Sequence, residues 1–166
     1  MNIALAESLA RKVHATYVRS LPVDPMDIAV QLGIDAKEVP FETLPEYSGC
    51  SGVAYIKEGQ RFILVNSSDA VTRRRFTAAH ELGHHVLGHT ESGKKFRDTL
   101  KPTNFEFVRD PLEVEANQFA AELLMPASLV IAAFRVEAIP TLAVMASSFG
   151  VSEEAMKNRL KKLRLI

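Results

Sequence analysis

The sequence predicts an α+β fold that is mostly helical, with a small antiparallel β-sheet packed against one central helix. Apolar residues recur at the helical period in most segments, and only two short apolar runs are typical of strands. The 166 residues are enough for one hydrophobic core. We therefore expect one domain over residues 1–136, with residues 137–166 as a C-terminal helical segment packed on it.

Two helices are predicted before the sheet. Residues 3–19 place apolar side chains four apart with charged residues between them, which is typical of an amphipathic helix: Leu5, Leu9, Val13 and Tyr17. Asp24 is a favourable N-cap for a second helix over residues 25–32, which Gly33 is expected to end. Residues 41–52 contain proline and glycine and are predicted to be irregular.

The sheet is predicted as one β-hairpin, followed by a helix. Residues 53–56 and 61–66 are short apolar runs, and the residues between them include a glycine, as hairpin turns do. A helix is predicted from about Asp69 to Leu87, and Gly88 is expected to end it. Residues 90–111 are predicted as a loop, and a loop of that length is usually functional or poorly ordered.

Four helices are predicted in the C-terminal part. They cover residues 113–125, which Pro126 ends, then 127–136, 141–148 and 152–163, the last two forming a helix-turn-helix-like segment. The last of them is basic, through Lys157, Arg159, Lys161, Lys162 and Arg164. We interpret these basic side chains as a solvated face. The alternative is a basic helix that contacts DNA or a partner protein.

Composition argues against several classes of function. Lys plus Arg and Asp plus Glu number 20 each, so the formal net charge is zero, which disfavours nucleic-acid binding as the main role. The single cysteine, Cys50, cannot form an internal disulfide, and the N-terminal residues lack the apolar core of a signal peptide. No apolar run is long enough to span a bilayer. We therefore expect a cytoplasmic protein without a membrane partner.

A metal-binding motif lies on the helix predicted over residues 69–87. His80 and His84 are four residues apart, a rotation of about 40°, so both imidazoles point the same way. Glu81 lies about 100° round the helix from His80, where it can reach a water molecule beside the metal. This is the H-E-x-x-H pattern of two zinc ligands and a general base. Surface histidines that match by chance are the alternative, but these two lie at the edge of the apolar face.

The same helix does not supply the third ligand. On a continuous helix His85 lies about 140° and His89 about 180° from His80, so neither faces the metal. We expect both either to be solvated or to support a ligand by hydrogen bonding. A catalytic zinc site needs a third protein ligand and an open position for water. A carboxylate from another element is therefore expected to complete it.

The helix predicted over residues 113–125 offers that carboxylate. Glu113 and Asn117 lie together at the edge of its apolar arc, so packing turns Glu113 inward and lets Asn117 hold a ligand by a hydrogen bond. Glu115 and Glu122 fall on the opposite side and are expected to be solvated. The alternative for Glu113 is that it only stabilises the helix N-terminus.

Two motifs together resemble the ImmA/IrrE family of bacterial and phage metallopeptidases. They are Arg75-Phe76-Thr77-Ala78-Ala79-His80-Glu81-Leu82-Gly83-His84 and Glu113-x-Glu115-Ala116-Asn117-x-Phe119-Ala120-Ala121-x-Leu123-Leu124-Met125-Pro126. The resemblance implies a zincin-like, gluzincin-type fold and a Zn²⁺ cofactor, with Mn²⁺ as the alternative metal. It also implies that His80, His84 and Glu113 are the metal ligands and that Glu81 is the catalytic glutamate.

The resemblance further implies a function. Members of the family cleave a partner protein, usually a helix-turn-helix transcriptional repressor encoded nearby, and so relieve repression of mobile-element or stress genes. We therefore expect a zinc-dependent endopeptidase. The alternative is a non-enzymatic regulator or toxin-antitoxin component that binds its partner protein through the same scaffold. Tyr47 and Tyr55 are candidates for a second oxyanion donor, but we expect both to be structural.

Overall fold

Helices and a small sheet alternate along the chain, of which the computed structural model describes residues 1–93, 95–99, 110–135 and 141–166. The helices are α1 (Ile3–Tyr17), α2 (Pro25–Gln31), α3 (Val71–Val86), α4 (Pro111–Leu124), α5 (Ala127–Phe134), α6 (Leu142–Phe149) and α7 (Glu153–Lys162). The strands are β1 (Asp35–Val39), β2 (Cys50–Lys57), β3 (Gln60–Asn66) and β4 (Phe96–Thr99). The predicted α+β, mostly helical fold class is confirmed.

The local signals that predicted the first elements correspond to hydrogen bonds in the structure. The Asp24 carboxylate accepts from the N–H groups of Met26 at 3.0 Å and Asp27 at 3.2 Å, and so caps α2. The turn between β2 and β3 has positive φ at both central residues, 52° at Glu58 and 79° at Gly59. Such turns match the twist of the strands they join, which explains the predicted hairpin.

The sheet is mixed rather than purely antiparallel as predicted. Its strand order is β1-β3-β2-β4, with β2 antiparallel to both β3 and β4 but β1 parallel to β3. The sequence prediction missed β1, an edge strand that is only partly buried and therefore has a weak apolar pattern. It also missed β4, which lies within the predicted loop 90–111. Residues 94 and 100–109 of that loop lie outside the described residues.

Helix α3 is held on two sides, by the sheet and by α4. On the sheet side, the His85 ring nitrogen Nε2 lies 2.9 Å from the carbonyl oxygen of Phe62 in β3. On the other side, a Cβ at Gly83 would lie 3.0 Å from Phe119 Cδ1 and 3.3 Å from the Ala116 carbonyl oxygen of α4. A larger residue at Gly83 would push the helices apart. Because Gly83 has no side chain, α4 can approach α3 closely.

The C-terminal helices contribute to the same hydrophobic core as α3 and α4, through Met145, Phe149, Met156 and Leu160. Arg159 of α7 is buried, forms an ion pair with Glu122 of α4 and donates to the Met125 carbonyl at 2.9 Å. The expectation that Arg159 and Glu122 are solvated is therefore wrong, because each buried charge neutralises the other. The other four basic residues of the predicted solvated face are exposed.

Two of the sequence predictions fall on residues that the structure does not cover. The expected domain boundary between residues 136 and 137 and the end of the helix predicted over 127–136 lie outside the described residues. Within the described ranges, no single helix is long and apolar enough to cross a membrane. Among the described helices, α4 and α5 taken together, bent by 47° at their junction, would be long and apolar enough.

Candidate metal centre

Three of the predicted site residues come together where α3 meets the first turn of α4. His80 Nε2 lies 3.1 Å from Glu113 Oε2 and 3.1 Å from His84 Nε2, and His84 Nε2 lies 3.5 Å from Glu113 Oε1. Tetrahedral zinc ligands at their usual bond lengths lie about 3.3 Å apart. The three side chains therefore have the spacing that a metal ion requires.

The start of α4 explains why Glu113 faces the histidines. The Asp110 carboxylate accepts from the Leu112 N–H at 2.9 Å, and Pro111 occupies the first helical position, so Glu113 lies in the first turn. The Glu113 side chain is 36% exposed, whereas those of His80 and His84 are 3% and 0% exposed. The cluster is thus buried on the histidine side and open to solvent at Glu113.

Burial and contact within the cluster set the charge of its members. Burial lowers the pKa of His84 to about 4, although the contact with Glu113 acts to raise it. Burial acts to raise the pKa of Glu113, but the contacts with His80 and His84 outweigh it and hold this pKa well below its usual value. At neutral pH, His84 is therefore neutral and Glu113 is ionised, which are the forms that bind metals.

The surroundings of His80 show why a cation fits. Its Nδ1 lies 3.1 Å from Asn117 Oδ1, the contact predicted for Asn117, while its Nε2 faces the Glu113 carboxylate. Both oxygens are acceptors, and a neutral imidazole carries one N–H. When Nδ1 donates to Asn117, the Nε2 lone pair faces a carboxylate oxygen and a second imidazole. A metal cation would stabilise that arrangement of donors.

Glu81 is fully buried on the side of α3 that packs against β2. A Cβ added at Gly52 of β2 would lie 2.7 Å from Glu81 Oε1 and would overlap the side chain of Thr77. Gly52 also lies at an irregularity in the pairing of β2 with β4. The close approach of the strand to Glu81 therefore depends on glycine. The sequence prediction placed Gly52 only at the end of an irregular segment, since no local signal marks such a contact.

His89 and Glu115 lie next to the cluster rather than in solvent. His89 is buried and its Nδ1 lies 3.0 Å from His84 Nδ1, so of the two predicted roles only support of a ligand fits. The expectation that Glu115 is solvated is wrong: its side chain is 13% exposed and its Oε2 lies 3.2 Å from His89 Nε2. The helical wheel fails for His89 because Gly88, with φ of 76°, turns the chain back.

His85, the other histidine left open by the sequence, is also buried but lies away from the three candidate ligands. Besides its contact with β3, its Nδ1 lies 3.0 Å from the Thr90 hydroxyl. Both ring nitrogens are therefore engaged in holding α3 and the turn after it in place. His85 thus has a structural role, and it provides a natural control for tests of His89.

Tyr47 and Tyr55 both contact Lys95, the residue that precedes β4. Lys95 Nζ donates to the Tyr47 hydroxyl at 2.7 Å and lies 4.8 Å from the centre of the Tyr55 ring. Tyr55 stacks on Phe62 with ring centres 5.0 Å apart, and burial raises the pKa of its hydroxyl. These contacts support the structural role expected for both tyrosines.

Comparisons with known proteins agree with the geometry. The model of a peptidase family described as the IrrE N-terminal-like domain matches residues 12–161. A radiation response metalloprotease IrrE of Deinococcus radiodurans is 29% identical over 163 residues, which cover 96% of this chain and 43% of the relative. Its counterpart in Deinococcus deserti is 32% identical over 129 residues, covering 77% and 43%. The chain thus spans less than half the length of these two relatives.

A phage protein and a solved structure are also similar. Immunity region protein 2 of Bacillus phage phi105 is 41% identical over 103 residues, which cover 62% of this chain and 59% of the phage protein. The solved structure of a Mycobacterium tuberculosis transcriptional regulator aligns with a TM-score of 0.61 and 16% identity, covering 95% of this chain and 46% of that one. At that identity the second likeness supports the fold alone.

Proposed function

Because this chain belongs to the peptidase family of the IrrE N-terminal-like domain, we propose that it is a zinc-dependent endopeptidase. The observation that carries the proposal is the convergence of His80, His84 and Glu113, whose ligand atoms lie within 4.8 Å of one another on the helix that carries Glu81 and on α4. In this proposal the first three residues bind the metal and Glu81 is the catalytic residue. Two imidazoles favour zinc over manganese, which suits oxygen-rich sites.

The residues of the chain divide the chemistry between them. A zinc ion held by the three ligands would act as a Lewis acid toward the peptide carbonyl and lower the pKa of water. Glu81 accepts the proton of the attacking water and delivers it to the leaving amine. Burial of Glu81 keeps bulk water away and strengthens its electrostatic interactions. Asn117 keeps the His80 ring oriented through Nδ1.

The proposed substrate is a partner protein, namely a helix-turn-helix transcriptional repressor encoded nearby. Cleavage of such a repressor would relieve repression of mobile-element or stress genes. The similarity to a phage protein named as an immunity region protein supports this context. A cytoplasmic location, expected from the sequence, fits a repressor substrate and stays a prediction.

The proposal is tested by incubating the purified chain with the helix-turn-helix repressor encoded beside it and following the products by mass spectrometry. We expect one or a few defined cleavages with Zn²⁺, loss of cleavage with a chelator, and recovery when metal is added back. Mn²⁺ is tested in parallel. A stable stoichiometric complex without cleaved product would contradict the peptidase proposal and favour the regulator that acts by sequestration.

Replacing Gly52 by alanine is expected to impair hydrolysis without removing the metal. The new methyl group would overlap Thr77 and press on the Glu81 carboxylate, so the general base moves while the three metal ligands stay in place. We expect a stability loss of about 1–3 kcal/mol from overpacking and a drop in kcat of the repressor cleavage. Zinc content and the thermal unfolding midpoint are measured on the same preparation.

A second substitution separates these two effects of Gly52→Ala. Thr77→Ser removes the methyl group that the new side chain would strike but leaves Glu81 where it is. The double variant should regain thermal stability and keep the low kcat. If hydrolysis returned together with stability, contact between Gly52 and Glu81 would not matter for catalysis.

A further inference from the structure

A chain of hydrogen-bonding contacts leads away from the metal centre, from His84 through His89 to Glu115. His84 Nδ1 lies 3.0 Å from His89 Nδ1, and His89 Nε2 lies 3.2 Å from Glu115 Oε2. The side chains of His84, His89 and Glu115 are 0%, 5% and 13% exposed. Bulk water therefore has little access to these contacts, and the polar groups must form hydrogen bonds with one another.

The chemistry of the groups gives the contacts a direction. A carboxylate can only accept, so His89 Nε2 carries the hydrogen and donates to Glu115. In a neutral His89 ring, Nδ1 then has a lone pair and accepts from the Nδ1–H of His84. The hydrogen of a neutral His84 thus lies on Nδ1, and its Nε2 lone pair points at His80 and Glu113. Glu115 therefore sets the tautomer of the proposed ligand His84, acting through His89.

Backbone and ring contacts hold the side chains of His84, His89 and Glu115 in place. Gly88, in the left-handed region, folds His89 back onto His84. Phe96 of β4 stacks on His84 with ring centres 4.0 Å apart and planes 21° apart, so the imidazole cannot rotate freely. The Asn2 N–H donates to the other oxygen of Glu115 and orients that carboxylate. The imidazole rings of His84 and His89 therefore each have one favoured orientation.

We propose that His89 and Glu115 are positioning residues for the metal centre, acting through His84. Together they hold the His84 ring in the orientation and tautomer that present Nε2 to a metal, as Asn117 does for His80. The inference rests on the proposed metal site. It adds to that site two residues that orient a ligand, Glu115 from α4 and His89 from the turn after α3. Neither residue touches the metal or the substrate in this role.

The test is the zinc affinity of the whole chain, measured by competition with a chromophoric chelator. His89→Phe keeps an aromatic ring but removes both nitrogens, and we expect Zn²⁺ binding about 10- to 100-fold weaker than in the parent protein. Glu115→Gln should weaken it less. Since Glu115 acts through His89, the double variant should be no weaker than His89→Phe, within about twofold. The d–d absorption of the Co²⁺-loaded protein should change in both single variants.

A matched control removes the neighbouring histidine. His85→Phe deletes the same ring nitrogens from a buried position that contacts Phe62 and Thr90 instead of His84. This variant should lose thermal stability in the metal-free state yet keep its zinc affinity within about twofold of the parent. A merely structural role for His89 would make the two variants behave alike. Should His89→Phe fold poorly, Glu115→Gln alone still tests the proposal.

The outcomes separate this inference from the metal site itself. Parent-like zinc affinity in both His89→Phe and Glu115→Gln, with affinity lost in Glu113→Ala, would overturn the positioning role alone. Effects of His89→Phe and Glu115→Gln that multiply in the double variant would also overturn it, because the residues would then act independently. Parent-like affinity in Glu113→Ala and His84→Ala would show instead that the metal lies elsewhere.

Discussion

Glu81→Gln is expected to abolish hydrolysis of the partner protein while the chain stays folded and metal-loaded. The amide keeps the shape of the side chain, but it cannot take the proton from water or deliver it to the leaving amine. Loss of a general acid–base group costs about 10²- to 10⁴-fold in rate. Turnover of the repressor, zinc content and the unfolding midpoint are the three measurements. Only the first should change strongly.

The control for Glu81→Gln removes a carboxylate that lies ten residues further along the chain. Glu91→Gln alters an exposed residue in the 3-10 turn His89–Ser92 that follows the same helix, and it should keep the parent rate. Repressor cleavage by Glu81→Gln at a rate near that of the parent would rule out Glu81 as the catalytic base. Cleavage lost together with zinc would point to a metal-binding or structural role instead.

Glu113→Ala is expected to release the metal and with it the activity. The substitution leaves two buried imidazoles without the anionic partner that completes the site. Removing an outer hydrogen-bond partner of a metal ligand costs about 10- to 100-fold in affinity, so removal of a ligand should cost more. Zinc affinity by chelator competition and metal content after gel filtration are the measurements.

This experiment also decides between the two interpretations of Glu113. If Glu113 only stabilised the N-terminus of α4, Glu113→Ala would lower stability by about 0.3–1 kcal/mol and leave zinc affinity unchanged. Glu153→Ala is the control, because Glu153 also lies in the first turn of a helix, α7, where it is exposed. A zinc affinity equal in both variants would refute the ligand assignment.

Local pattern was sufficient wherever a feature depends on neighbours along one helix. His80 and His84 share a face because of helical period, and the helices α3 and α4 that carry the motif residues were both predicted. The helical period also predicts that Glu113, rather than Glu115, faces inward on α4, and in the structure Glu113 lies beside both histidines. Asn117 was expected to support a ligand, and it contacts His80.

Predictions failed where a distant segment decides the environment of a residue. Glu122 lies on the polar side of α4 by helical period, yet α7 brings Arg159 over it and buries both charges. The helical period likewise predicts that Glu115 faces solvent, but in the structure His89, from the turn after α3, contacts it. The residues Phe96–Thr99 of β4 include a single apolar side chain, which is too weak a pattern to be recognised as a strand without its pairing to β2.

The sequence by itself determined the α+β class, the histidine helix with its glutamate and the carboxylate helix that complements it. These follow from periodicity, caps and motif spacing, which act within a few residues. Only the tertiary structure decided that β1 joins the sheet in parallel, that Gly52 packs against Glu81 and that His89 and Glu115 stand behind His84. Such contacts join residues far apart in the chain or across a glycine-induced reversal, where the geometry of a single helix or strand no longer applies.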